Sequence, residues 1–167
     1  MAGDEEAPRE HPGHPSTHSH PAGLGPYRAL LGMTVLSYIA MYVLMYAMVD
    51  RWENVFNNVN QAYMAGLMAM PMALIELVLM RGMYRNRALN AVIAIAALLV
   101  MLLCWIAIRT QAAVNDQQFV RSMIPHHAGA ILMCGKNRLR DPDLQQLCRE
   151  IIRSQEAEIE RMKAALR

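Results

Sequence analysis

Apolar positions are gathered into three long blocks, followed by a charged segment in which they recur every three or four residues. Ala29–Val49 and Ala88–Ile108 contain no charged residue, and Ala62–Met80 contains one, Glu76. At 1.5 Å rise per residue, roughly 20 apolar residues cross a hydrocarbon layer of about 30 Å. Each block meets that length, so the pattern predicts three membrane-spanning helices. The first block is too long for the core of a cleaved signal peptide. An acidic, His-rich segment precedes it, and Asp50-Arg51-Trp52 follows where small cleavage-site residues would stand. It is expected to be retained.

Beyond the third block, Phe119, Met123, His126, Ala130, Met133 and Cys134 mark one face of a helix. Asp141-Pro142 starts a second helix, with Asp141 as N-cap and Pro142 in the first turn. That helix aligns Leu144, Leu147, Cys148, Ile151, Ile152, Gln155, Ile159, Met162 and Leu166. The short connection implies an antiparallel helical hairpin. Its register sets Cys134 level with Cys148, His126 and His127 with Gln155, Met123 with Glu158, and Phe119 with Met162. One hairpin cannot bury both apolar stripes, so a homodimer that completes a four-helix bundle is expected. The cysteine register predicts a disulfide, which would contribute roughly 3 kcal/mol for a loop of about 15 residues; the alternative is a pair of thiolate ligands for Cu(I).

The expected fold is therefore all-α, in three parts. Residues 1–23, rich in Pro, Gly, Ser, His and acids, are expected to be disordered. Residues 24–108 form the membrane region, and residues 109–167 the hairpin. The formal net charge is only +2, but its placement orients the spans. Residues 81–87 carry Arg81, Arg85 and Arg87 with no acid, whereas residues 50–60 carry Arg51 against Asp50 and Glu53. The arginine loop and the N-terminus are expected in the cytoplasm of a bacterium, the spans in its inner membrane, and the hairpin in the periplasm.

The string Met123-Ile124-Pro125-His126-His127 carries the candidate chemistry. Met123 and His127 are four residues apart and His126 is three from Met123, so thioether and imidazole fall on neighbouring faces of one helix. Together they form a borderline-to-soft ligand set suited to copper, Cu(I) above Cu(II). The alternative is that the two histidines bond locally near a kink at Pro125. The chain holds 15 methionines. Met41, Met45 and Met48 share a face of the first span, and Met64, Met68 and Met72 a face of the second. In register, Met41 meets Met68 and Met45 meets Met64, either as a Cu(I) path or as flexible packing. Glu76 is a carboxylate within a span, which marks a functional candidate or a partner for nearby Arg81. His11, His14, His18 and His20 offer a loose metal-collecting tail.

The run Phe119–His127 with its Met-Ile-Pro-His-His core, followed by Gln155-Glu156-Ala157-Glu158-Ile159-Glu160-Arg161-Met162, resembles the bacterial family labelled domain of unknown function 305. The membrane segments MYVLMYAMVD, NQAYMAGLMAMPMALIEL and MYRNRALN resemble a membrane-anchored subgroup of it. The resemblance implies a ferritin-like hairpin, often outside the cytoplasm, with some members linked to copper binding and resistance. By motif position it points to Met123, His126, His127, Met133, Gln155, Glu158 and Met162. The second repeat of soluble members is absent here, which favours dimerisation.

These readings converge on a membrane-anchored copper-binding protein for tolerance, storage or delivery, partnered by the bilayer, a second copy and periplasmic copper proteins. Two alternatives stand beside it. One is a metal-free structural or interaction module in which His126 and Gln155 form a buried hydrogen bond. The other is a copper-conducting membrane protein using the Met faces and Glu76. There is no Ser/His/Asp set, Gly-rich phosphate loop or paired Glu-x-x-His motif, so no enzyme is expected. Nothing in the chain supports nucleic-acid binding.

Overall fold

The computed structural model describes residues 24–167. The four histidines of the tail and the expected disorder of residues 1–23 lie outside the described residues. Five α-helices follow one another: α1 (Gly25–Leu44), α2 (Val59–Leu79), α3 (Arg87–Thr110), α4 (Asp116–Lys136) and α5 (Pro142–Ala165). Short 3-10 turns at Met45–Met48 and Trp52–Asn54 lie between α1 and α2. Among the described residues there is no strand. Three segments, Gly25–Met48, Val59–Leu79 and Arg87–Thr110, are long and apolar enough to cross a bilayer, which marks the chain as membrane-associated.

Side-chain caps set where these helices begin. The amide oxygens of Asn58, Asn86 and Asn115 accept from the backbone N–H three residues on, satisfying donors that the first helical turn leaves free. Asp141 caps α5 by accepting from Asp143 and Leu144, with Pro142 in the first turn where its missing N–H costs nothing.

Helix α2 lies between α1 and α3 and packs along both. Its buried positions are Gln61, Ala65, Gly66, Ala69, Ala73 and Leu77. Small side chains let helix backbones approach where lipid supplies no hydrophobic drive. The closest approach is at Gly66, where an added Cβ would lie 3.0 Å from the Cys104 Sγ of α3. The methionines take the other side: Met64, Met68 and Met72 remain 40%, 43% and 38% exposed. Three of the methionines expected to line a path between the first two spans are therefore exposed. The small residues won the helix interface, and the thioethers were left to face outward.

At the other end of the membrane region, Glu76 does not pair with Arg81. Its carboxylate accepts a 2.6 Å hydrogen bond from the Tyr84 hydroxyl in the loop after α2. Tyr84 is 2% exposed and stacks at 5.2 Å on Tyr27 of α1, whose hydroxyl donates to Asn90 of α3. Burial first, then the Glu76 bond, pushes the Tyr84 phenol up to about 12. The lone carboxylate of the spans thus ties the α2–α3 loop to all three helices.

The hairpin of α4 and α5 is seated on the membrane region rather than tethered to it. Ile124, Ala128 and Ile131 of α4 and Ile159 of α5 form its core, and Val49 and Phe56 from the loop after α1 pack against them. Polar contacts fix the seat: Gln118 accepts from the Val59 N–H at 3.0 Å, and Asn60 donates to Gln111 at 3.0 Å and to Ser122 at 3.4 Å. The α3–α4 link turns on two left-handed residues, Gln111 and Ala113, at φ 53° and 57°.

The Gly66–Cys104 contact yields a test. Gly66→Ala should lower thermal stability in detergent, with a cost of about 1–3 kcal/mol for overpacking. Adding Cys104→Ala should restore most of it, since the clash is with that sulfur. A Gly66→Ala protein that melts with wild type would show the contact to be slack.

Candidate metal centre in the hairpin

Pro125 lies inside α4 and supplies no N–H to the carbonyl of Arg121, one turn back. Two histidines follow it and have different surroundings. His127 is 7% exposed, while His126 is on the open side of the helix with its ring centroid 6.0 Å away. The His127 Nδ1 lies 2.9 Å from the Met123 carbonyl, and its Nε2 lies 2.8 Å from the Glu158 carboxylate. A carbonyl oxygen can only accept, so Nδ1 donates to Met123. The Ser154 hydroxyl donates to the other Glu158 oxygen at 2.8 Å. Ser154, Glu158, His127 and the Met123 carbonyl thus form a chain of bonds across the two helices.

The hairpin register sets the histidines against Gln155 and, one turn further, Glu158, and it is Glu158 that His127 bonds. The reason is geometric. Helical side chains lean toward the N-terminus of their own helix. His127 therefore reaches down α4 to the level of Met123, where Glu158 of the antiparallel helix stands. The His126–Gln155 bond of the metal-free alternative is not formed among the described residues; His127 bonds Glu158 instead.

Met123, His127, Glu158 and Met162 line one open cleft of about 350 Å3, with Phe119 and Arg161 at its edge. Met162 packs against the hairpin core beside Val120. Four of the seven residues expected to serve a metal thus meet. The other three do not line this cleft: Met133 is 55% exposed, His126 is exposed and Gln155 is half-buried. Met41, Met45, Met48, Met64, Met68, Met72 and Glu76 belong to the membrane region and do not line this cleft. Among the described residues, no group of three or more His, Cys, Asp or Glu side chains is placed to hold a metal ion. Any metal at the cleft would depend on thioether sulfur.

Cys134 and Cys148 are joined by a disulfide near the hairpin turn, with Cα atoms 5.1 Å apart. Cys104 is a free thiol within α3, in contact distance of α2 at Gly66. What the sequence pattern missed was the seat of the hairpin. Phe56, Asn60 and Gln118 belong to segments that carry no periodic signal linking the loop to α4.

Residues 45–166 match the family described as Domain of unknown function (DUF305). The chain belongs to this family. The match begins within the first span, so the family unit includes α2 and α3 as well as the hairpin. An uncharacterized protein of Acanthamoeba polyphaga mimivirus is 33% identical over 143 residues, covering 82% of this chain and 90% of that protein. No solved structure matches the chain.

The bond chain sets a pH dependence. The Ser154 hydroxyl first, then the His127 bond, holds the Glu158 carboxyl below its ordinary 4.5. A carboxyl depressed in the folded state stabilises the fold above its unfolded value and loses that contribution as pH falls through the folded one. Hairpin stability should therefore decline below pH 4.5, and Ser154→Ala should move the Glu158 titration upward. Carboxyl titration by NMR measures both; a Glu158 that titrates identically in the variant would show that Ser154 does not act on it.

Proposed function

We propose that this chain is a membrane-anchored copper-binding protein whose site is the cleft of Met123, His127, Glu158 and Met162. The observation that carries the reading is the meeting of two thioethers and an imidazole on one open cleft beside the bilayer. Thioether sulfur with imidazole nitrogen suits Cu(I) better than zinc or a hard cation. The donor set fits the metal on a further point. Metal-binding histidines commonly anchor the second ring nitrogen on a carbonyl or carboxylate. Here the Met123 carbonyl holds Nδ1 and leaves Nε2 as the ligating atom. Copper would take the place of Glu158, whose side chain is 45% exposed and free to swing aside, and Glu158 would then stand beside the metal.

The arginine loop and the odd number of spans support a cytoplasmic N-terminus and a periplasmic hairpin in a bacterial inner membrane. A second copy completes the bundle in this reading. Phe119, Met133, Leu144 and Leu147 are 51%, 55%, 47% and 50% exposed, and His126 falls midway between Phe119 and Met133 at seven-residue spacing. Storage, tolerance and delivery to soluble copper proteins are all served by such a site.

A second reading rests on a separate observation: both His127 nitrogens are already bonded to protein oxygens. In that reading the bond chain specifies the hairpin and no metal is needed.

Metal analysis of the full-length protein, with Cu(I), Cu(II) and Zn(II) supplied in competition, separates the two. Copper should be retained as Cu(I). His127→Ala and Met162→Ala should each weaken binding by roughly tenfold or more, the scale on which metal sites respond even to loss of supporting residues. Failure of the wild-type protein to retain any of the three metals would favour the metal-free module, and unchanged copper affinity and stoichiometry in His127→Ala would put the site elsewhere on the chain.

Topology is checked apart from metal. A reporter active only in the cytoplasm, fused after Arg167, should be silent. A bright signal would place the hairpin in the cytoplasm and end the periplasmic reading.

A further inference from the structure

The Cys134–Cys148 bridge lies at the turn end of the hairpin, away from the Met123 cleft. Both cysteines line an open cleft of about 280 Å3, with Arg138, Arg149, Asn137 and Gln145 among its walls. Two arginines are among the residues lining this cleft and no acidic residue is. Neither arginine is engaged in an ion pair among the described residues.

Other contacts also join the two helices. Their core of Ile124, Ala128, Ile131 and Ile159 is elsewhere, as is the His127–Glu158 bond. Those contacts lie apart from the bridge at the turn end of the hairpin. A structural disulfide typically resists reduction, whereas one within reach of an attacking thiolate is labile; Cys134 and Cys148 are half-buried and reached through the open cleft.

We propose that Cys134–Cys148 is an exchange site for protein dithiols, the chemistry of a thiol–disulfide oxidoreductase, separate from any role of the hairpin in metal binding. Cys134 stands two residues before the end of α4, where helix carbonyls disfavour an anion. It is therefore the sulfur attacked, and Cys148, next to Arg149, departs as the thiolate. A partner thiolate forms a mixed disulfide with Cys134 as the Cys134–Cys148 bond breaks. The partner's second thiolate then attacks its own sulfur in that mixed disulfide and releases Cys134. Two electrons pass from the partner dithiol, which becomes a disulfide; its two protons are balanced by those taken up on Cys134 and Cys148. Arg138 and Arg149 act on the negative charge of the incoming and departing thiolates, since neighbouring cations favour the thiolate form.

The test uses the full chain in detergent with Cys104→Ala, so that every titrated thiol belongs to the pair. Dithiothreitol and glutathione serve as probes, and maleimide mass addition counts thiols without denaturant. Two thiols should appear while helicity is retained. Arg138→Gln with Arg149→Gln should slow opening roughly threefold to tenfold, and more for glutathione, whose thiolate form carries the larger negative charge. Three results would overturn the proposal: a bridge that opens only in denaturant, a helical hairpin lost on reduction, or variant rates equal to wild type with both probes.

Discussion

The apolar face of α4, made by Ile124, Ala128 and Ile131, is covered from two sides at once. Ile159 of α5 covers one side, and Val49 and Phe56 of the loop after the first span cover the other. Fully burying an isoleucine is worth about 1.5–3 kcal/mol, and Ile124, Ile131 and Ile159 are 0%, 9% and 3% exposed. The Arg51–Glu156 ion pair at the same junction is 3.9 Å long with both side chains more than half exposed. Pairs of that kind contribute about 1 kcal/mol at most. The seat of the hairpin is thus an apolar one. The fit is close: a methyl added at Gly129 would already touch the Met48 carbonyl at 3.5 Å.

With α4 held on that face, its remaining faces have fixed duties. His127 turns toward α5 and finds Glu158, while His126, one residue earlier and about 100° round the helix, is left exposed. Two adjacent residues of the same type therefore differ in every respect that matters to chemistry. One is oriented, buried and bonded through both nitrogens; the other has an open ring on an apolar stripe. The same division separates the methionines: Met123 and Met162 line a cleft, whereas Met133 is exposed.

Much of the architecture was legible because its signals are periodic. Three uncharged or nearly uncharged blocks gave the spans, and Asp141-Pro142 gave the start of α5. Helix register placed Cys134 beside Cys148, which the structure joins. The register also brought Glu158 opposite the histidines, but which of the two adjacent imidazoles is buried and bonded to it was not legible from spacing. The exposure of Met64, Met68 and Met72 was not legible for a related reason. Spacing shows which residues share a face, but not which face a helix buries, and on α2 the alanines and Gly66 took the interface. The loop from Val49 to Asn58 carries no period at all, so its role as a platform for α4 depends on tertiary packing alone.

The link between α3 and α4 is only five residues, 111–115, and it turns through two left-handed positions. A chain of that length spans at most about 17 Å when fully extended, and less when turned. The hairpin therefore has no reach of its own. Anything it exchanges with must come to the membrane surface, so encounters are limited to molecules that diffuse along the bilayer or collide with it. Lengthening those five residues would change the range of partners without touching a single side chain of either cleft.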